Sequence, residues 1–125
     1  MKTIIATPAA PAAIGPYSQA IEANGFVFVS GQLPIDPATG AFPEGGIEAQ
    51  TEQALKNLSA ILAASGCTLA DAVKVTVFLK SIGDFTAMNG VYAKFFESDC
   101  PARCAYEVAA LPKDALVEID VIAAK

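Results

Sequence analysis

The sequence contains no histidine and no tryptophan. Without histidine, the chain cannot form the Ser-His-Asp or Cys-His arrangements of nucleophilic hydrolases. The two-histidine route to RNA cleavage is excluded for the same reason. Any acid–base chemistry must therefore use glutamate, aspartate, tyrosine, lysine, cysteine or water.

Positive charge is also scarce. The chain has 8 Lys and Arg residues against 13 Asp and Glu residues, for a formal net charge of −5. No basic run or stripe is present, whereas affinity for nucleic acid comes largely from Lys and Arg on phosphates. We therefore expect no nucleic-acid partner. A small anionic ligand remains possible, because one well-placed arginine suffices to bind a carboxylate.

The chain has three cysteines, Cys67, Cys100 and Cys104. An odd number without a secretion signal indicates reduced thiols. Cys100 and Cys104 are four residues apart, but Pro101 lies between them and there is no histidine to complete a zinc site. We interpret the cysteines as small apolar packing residues and expect no metal.

Long hydrophobic runs are missing too. No apolar stretch reaches the roughly 18 residues that a membrane-spanning helix needs, and the N-terminus lacks the apolar core of a signal peptide. The sequence predicts a cytoplasmic protein without a membrane partner. Hydrophobic residues nevertheless make up 54% of the chain. This excess favours a subunit interface.

The residue pattern predicts one domain over residues 1–125, with the order β-β-β-α-β-α-β-β. Predicted strands cover residues 2–6, 18–22, 26–32, 73–80, 102–108 and 116–123, and predicted helices cover 47–64 and 84–97. The second and third strands flank "ANG", which predicts a hairpin. Apolar residues on both faces of the third strand predict that it is covered on both sides. Two helices on one face of a mainly antiparallel six-stranded sheet would form an α+β sandwich. We interpret the regularly spaced aromatics of the second helix as core residues.

One arginine stands out in the stretch "CPARCAYEV". Arg103 lies among small and apolar residues in a predicted strand, where an unpaired charge is rare. The short "ALPKDAL" connection suggests that this strand pairs with the last one, which carries Glu118 and Asp120 on one face. On composition alone an Arg103–Glu118 ion pair is favoured over a site. Tyr17 and Ser30 are likewise compatible with a packed ring and a strand-end hydroxyl.

Five blocks of the sequence resemble the Rid family, also called the YjgF family, in order and spacing over nearly the whole chain. The blocks are "APAAIGPYSQAI", "VFVSGQLPIDPATG", "VKVTVFL", "DFTAMNGVYAKFF" and "PARCAYEVAALPKDALVEIDVIA". They are most similar to the RidA branch, the 2-iminobutanoate/2-iminopropanoate deaminases. The resemblance implies a chorismate-mutase-like two-layer fold and a homotrimer with three sites between subunits.

The resemblance also implies roles for individual residues. Arg103 would bind the substrate carboxylate, Glu118 would position and deprotonate a water molecule, and Tyr17 would line the cleft. The remaining substrate-binding positions would be Ser30, Gly31, Asn89 and the backbone of Ala105. The loop 33–46 would help to shape the pocket. No cofactor is implied.

The chain departs from the family pattern at one position. RidA proteins usually have a cysteine two residues after the arginine, where this chain has Ala105 and carries its thiol at Cys104. A shift of one residue in a strand turns a side chain to the other face. We therefore expect no thiol-dependent activity at the cleft, whereas imine hydrolysis needs only the arginine, glutamate and tyrosine.

The chemistry implied is hydrolysis of 2-imino acids to 2-oxo acids and ammonia. A protonated imine is already a good electrophile, so orientation and one delivered water are the main requirements. Two other hypotheses stay open. The chain could be a non-catalytic trimeric module that binds 2-oxo acids or amino acids, in which Glu118 is only structural. A weaker hypothesis is an endoribonuclease, a label given to some family members.

Overall fold

A computed structural model describes all 125 residues. The strands are β1 (Thr3–Ile5), β2 (Ala20–Ala23), β3 (Phe26–Gln32), β4 (Ala72–Leu79), β5 (Ala102–Glu107) and β6 (Val117–Ala124). The helices are α1 (Gly46–Ala64) and α2 (Phe85–Phe95). The predicted order of elements and the α+β class are confirmed. Neither helix is long and apolar enough to cross a bilayer.

The six strands form one sheet in the order β1-β2-β3-β6-β4-β5. All neighbours are antiparallel except β4 and β5, which run parallel. The predicted pairing of β5 with β6 is wrong, because β4 lies between them. The segment β4-α2-β5 is a β-α-β crossover, which places its second strand parallel to its first. After β5 the chain crosses over the end of β4, and β6 then joins the sheet on the other side of β4, next to β3.

The β2–β3 hairpin is formed as predicted. Asn24 and Gly25 connect the strands with φ angles of 51° and 80°. Positive φ at both central residues is what a type I′ turn requires, and Asn-Gly is its preferred sequence. This turn sets the register in which Ala20 faces Val29.

The two helices cover one face of the sheet and enclose the core. Val75, Val77 and Ile119 are fully buried there, together with Leu55 and Leu58 of α1. Burying one such aliphatic side chain stabilises the fold by about 1.5–3 kcal/mol. Alternate residues of β6 are buried along its whole length, as the period of two predicted.

The opposite face of the sheet, called the open face below, has no helix over it. Phe26, Phe28 and Tyr106 lie on this face and are 42–46% exposed. The apolar residues on both sides of β3 suggested a strand covered on both sides, but within one protomer only the helix face is covered. Exposed apolar residues grouped on one face are a common feature of interaction surfaces.

Candidate active site

Four of the expected site residues meet at one cavity on the open face. Tyr17, Ser30, Gly31 and Glu118 line a space of about 670 Å³ at the end of β3. The rest of its wall comes from the N-terminal arm, which is the segment 6–19 between β1 and β2, from the loop after β3 and from the connection before β6. The cavity therefore combines segments that are far apart in the chain.

A β-bulge in β3 forms one wall of the cavity. Val29 pairs with Val121 and Gln32 with Ile119, so two residues of β3 oppose Asp120 alone. Those two residues are Ser30 and Gly31. Bulges of this kind interrupt regular pairing and are frequent beside active sites. The Ser30 hydroxyl donates a hydrogen bond of 2.6 Å to the Ser18 carbonyl, which fixes the bulged strand against the arm.

Gly31 allows Glu118 to approach the bulge closely. A Cβ atom at position 31 would lie 3.0 Å from the Glu118 carboxyl carbon and 3.3 Å from its Oε2 atom. A side chain at this position would push the carboxyl group away, so the carboxyl position depends on the absence of one.

Glu118 is half-buried, and its environment favours the protonated form. Burial raises the pKa of the Glu118 carboxyl, and the nearby Asp120 carboxylate raises it further. At the start of the strand, the Leu116 N–H donates a 2.8 Å hydrogen bond to Oε1 of Gln50 in α1. A carboxyl group with a raised pKa, anchored in a cavity, is suited to taking up and returning a proton.

Asp120 is a second carboxyl group in the same cavity. It lies two residues from Glu118 on the same face of β6, and burial raises its pKa, while Thr76 and the Lys74 ammonium oppose the rise. The strand alternation in the sequence predicted that Asp120 shares a face with Glu118. It did not predict that Asp120 lines the cavity.

Gln19 holds the arm that carries Tyr17. Gln19 is 3% exposed, and its side chain forms hydrogen bonds with the backbone at two places along the arm. Its amide oxygen accepts from the Thr7 N–H at 2.6 Å, and its amide nitrogen donates to the Pro11 carbonyl at 2.7 Å. Its backbone carbonyl accepts from the Ser30 N–H at 2.9 Å. One buried amide thus joins the arm to the bulge.

Asn57 of α1 fixes the loop on the other side of the cavity. Its Nδ2 atom donates hydrogen bonds to the carbonyls of Leu33 and Ile35, at 3.1 and 2.9 Å. Both loop residues line the cavity. The start of the loop 33–46 therefore has a defined position at the cavity wall.

Arg103 belongs to a second group, on the edge strand β5. Its Nη1 atom donates a 2.6 Å hydrogen bond to Oδ1 of Asn89 in α2. The guanidinium lies 4.7 Å from the centre of the Tyr92 ring and 5.5 Å from that of Phe85. Asn89 was expected at the site, whereas the two aromatic residues were predicted only as core.

The two groups lie on opposite faces of the sheet within one protomer. Arg103 is paired with the buried Val75 of the neighbouring strand β4, so it lies on the helix face. Glu118 is paired with Phe78 of β4, so it lies on the open face. The expected Arg103–Glu118 ion pair is therefore wrong. The three ion pairs of the protomer join Lys56 to Glu52, Lys80 to Asp114 and Lys125 to Glu22.

The strand alternation around Arg103 is as predicted. Ala105 is level with the buried Val77 and packs against the core, on the same face as Arg103. Cys104 is exposed and is level with Thr76 and Asp120 on the open face. The thiol is thus turned away from the guanidinium.

Phe85 and Tyr92 could have been recognised from helical spacing. Together with Asn89 they occupy positions i, i+4 and i+7 of α2, which lie on one helix face. That face is the one Arg103 contacts. Gln19 and Asn57, whose buried amides hold the arm and the loop, show no such spacing in the sequence and could not be recognised from it.

Known proteins resemble the chain over its whole length. The sequence model of the family described as Endoribonuclease L-PSP matches residues 7–125. The chain is 51% identical to the 2-iminobutanoate/2-iminopropanoate deaminase of Capra hircus, over 98% of this chain and 90% of the goat protein.

Solved structures show the same fold. A Yersinia pestis protein of the conserved Rid family has a TM-score of 0.97 and 50% identity, and the match covers all of both chains. Escherichia coli TdcF with bound serine has a TM-score of 0.94 and 41% identity over 98% of each chain. The chain belongs to the Rid (YjgF) family.

Proposed function

We propose that the protein is a deaminase that hydrolyses 2-imino acids to 2-oxo acids and ammonia. Its family membership and its 51% identity to a 2-iminobutanoate/2-iminopropanoate deaminase support this function. The observation that carries the proposal is the Glu118 carboxyl group, which lies against Gly31 at the cavity wall with a raised pKa. We also propose that the protein works in the cytoplasm, as its three free cysteines favour.

The complete site is proposed to form between subunits of a homotrimer. Arg103 and Glu118 lie on opposite faces of one protomer, so a single chain does not bring them together. The exposed aromatics of the open face favour its burial against another copy. In this arrangement Arg103 of the partner subunit would reach the cavity that holds Glu118.

The substrate would bind through its carboxylate. A guanidinium donates two parallel hydrogen bonds to a carboxylate, which an ammonium cannot do. Backbone N–H groups at Gly31 and Ala105 would assist the partner subunit's Arg103, and Tyr17 and Ser30 would line the cleft. With the carboxylate held, the imine carbon faces a water beside Glu118.

The reaction requires one water and one proton shuttle. The water oxygen bonds to the imine carbon while its proton passes to the Glu118 carboxylate. The resulting carbinolamine takes that proton on nitrogen, the C–N bond breaks, and the hydroxyl group becomes the carbonyl of the 2-oxo acid as its proton leaves with ammonia. Acid–base catalysis of this kind typically accelerates a step by about 10²–10⁴-fold.

A coupled assay tests the proposed activity. A threonine dehydratase generates 2-iminobutanoate in situ, and semicarbazide traps it. Active protein should reduce semicarbazone formation, because hydrolysis outruns the trap. An unchanged yield at any protein concentration would contradict the proposal, and unchanged dehydratase turnover provides the control. Sedimentation equilibrium at micromolar concentration tests the trimer, which a monomer would contradict.

A binding module is the second candidate. Escherichia coli TdcF carries a bound serine, so a relative with this fold holds an amino acid. A module that only binds would take up 2-oxobutanoate without accelerating ammonia release. Turnover in the coupled assay separates the two functions.

The description Endoribonuclease L-PSP raises RNA as another ligand for the family. This chain has a net charge of −5 and no histidine. A titration with single-stranded RNA at several salt concentrations tests the point, because an RNA-binding protein loses affinity steeply as salt rises. We expect no salt-dependent binding.

A further inference from the structure

One face of α2 holds the guanidinium of Arg103 from three sides. Phe85 and Tyr92 present their rings, at 5.5 and 4.7 Å from the guanidinium carbon, and Asn89 accepts a hydrogen bond from Nη1 at 2.6 Å. Asn89 accepts the one short, well-directed hydrogen bond that the guanidinium donates within the chain. Since a guanidinium carries five N–H donors, most of them remain available to a ligand.

The Tyr92 ring is itself firmly placed. Its side chain is 6% exposed, and the ring stacks on Phe96 with centroids 4.5 Å apart. A cation over an aromatic face is attracted by the ring, more strongly where water is excluded. Tyr92 therefore offers Arg103 a fixed surface in place of the many rotamers that a solvent-exposed arginine samples.

The Arg103 guanidinium lies over the ring of Tyr92, and it also acts on the nearby hydroxyl group. The hydroxyl oxygen is buried and has no hydrogen-bond partner in the protomer. Burial raises the pKa of the Tyr92 hydroxyl, and the Arg103 guanidinium opposes that rise, so the side chain stays neutral near pH 7. A phenylalanine would supply the same face without the unpartnered oxygen.

We propose that Phe85, Asn89 and Tyr92 form a guanidinium-binding face that positions Arg103 for the substrate carboxylate. In this assignment Tyr92 is a positioning residue, which acts through Arg103 and does not touch the reacting atoms. The assignment rests on the proposed function only in that Arg103 is taken to bind the carboxylate. The face should also bind free guanidinium when the Arg103 side chain is removed.

The first test compares two substitutions of Tyr92. Tyr92→Leu keeps apolar bulk but removes the ring, so we expect KM for 2-iminobutanoate and Kd for 2-oxobutanoate to rise about tenfold while kcat changes little. Tyr92→Phe should recover most of that loss. An equal rise of KM and Kd in both variants would show that the hydroxyl group is responsible and would overturn the proposal. Unchanged KM and Kd in Tyr92→Leu would overturn it as well.

Phe85→Leu provides a second variant should Tyr92→Leu fail to fold. Its ring lies farther from the guanidinium and is only partly buried. We expect a smaller rise in the same two constants, about threefold. A fall in kcat without a rise in KM or Kd would contradict a positioning role.

The second test uses guanidinium itself as the probe. Binding of guanidinium chloride at about 1–20 mM to Arg103→Ala is followed by chemical-shift changes of the α2 residues, with sodium chloride as the ionic control. We expect saturable binding that is lost in Arg103→Ala/Tyr92→Leu. Equal binding, or no binding, in both proteins would overturn the proposal. This readout does not depend on activity, so it remains decisive even if Arg103→Ala proves fully active and the proposed function fails.

Discussion

The two groups of site residues are constructed by opposite means. The Arg103 group is held by contacts, with two aromatic rings and an amide around one guanidinium. The Glu118 group depends on missing contacts, because a bulge interrupts strand pairing and a glycine leaves room for the carboxyl group. Fixed geometry around Arg103 suits the proposed binding of a carboxylate, whereas the half-buried, poorly paired environment of Glu118 suits the proposed transfer of a proton.

Removal of the arginine should have the largest effect. In the proposed site, Arg103→Ala would delete two charge-assisted hydrogen bonds to the substrate carboxylate, which contribute about 1.5–3 kcal/mol each. We expect kcat/KM in the coupled assay to fall about 1,000-fold. Arg103→Lys should also be poor, since an ammonium lacks the planar fork. Full activity in a correctly assembled Arg103→Ala protein would contradict the assigned role.

Replacement of the carboxyl group should separate binding from turnover. Glu118→Gln keeps the shape of the side chain but cannot accept the proton of water, so we expect kcat to fall about 100-fold while 2-oxobutanoate still binds. Calorimetric binding and the semicarbazone assay measure the two properties. Retained turnover would reduce Glu118 to a structural residue.

The space at Gly31 should matter less, but measurably. Gly31→Ala places a Cβ atom 3.0 Å from the Glu118 carboxyl carbon, which forces a small displacement of one of them. We expect a roughly tenfold loss of kcat, because displacements of an ångström can cost about 100-fold. Gly90→Ala is the matched control, since a Cβ atom there meets nothing within 4 Å. Equal effects of both substitutions would contradict the close-approach argument.

The raised pKa of Glu118 predicts a pH-dependent stability difference. A raised pKa means that the folded state holds the proton more tightly than the unfolded state does. The protonated carboxyl group therefore favours folding at acid pH, and this contribution is lost as the pH rises through the pKa of the folded state. Glu118→Gln should therefore have the higher Tm near about pH 7.5. The gap should close below about pH 4, under the unfolded pKa of glutamate.

Two controls sharpen this measurement. The exposed Glu97→Gln makes the same charge change away from the cavity and serves as the matched control. In the proposed trimer the Arg103 cation of the partner subunit would lie beside Glu118, so the Tm gap of Glu118→Gln should widen in an Arg103→Ala background. A gap that stays constant with pH would contradict the cause given for the raised pKa.

The smallest effect is expected at Cys104. Its thiol lies on the face opposite to Arg103, so Cys104→Ser should leave kcat/KM within about twofold of the wild-type value. A loss of about 100-fold, or 2.7 kcal/mol of transition-state stabilisation, would show that the thiol takes part in the reaction.

Local patterns predicted most of the elements but not the order of the strands. The Asn24–Gly25 turn and the alternation of β6 are set by neighbouring residues, and both were predicted correctly. The pairing of β5 with β6 was wrong because nine residues, 108–116, connect them, which is long for a hairpin and permits a passage across β4. The crossover through α2 was the better guide to the position of β5.

The site was predictable to a similar degree. The resemblance indicated Tyr17, Ser30, Gly31 and Glu118, which the structure brings to one cavity. It indicated Arg103 and Asn89 as well, which form a separate group. Asp120 and Gln19 were missed because their importance comes from residues far away in the chain. Tyr92 was missed as a site residue although it shares one helix face with Asn89.

The placement of Arg103 and Glu118 on opposite faces has a genetic consequence. In the proposed trimer, where the cavity is shared between subunits, each chain would give its arginine to one cavity and its glutamate to another. A copy defective in Arg103 and a copy defective in Glu118 could then co-assemble so that one cavity receives both intact residues. Two recessive lesions in the same gene would complement each other, which ordinarily indicates two different genes.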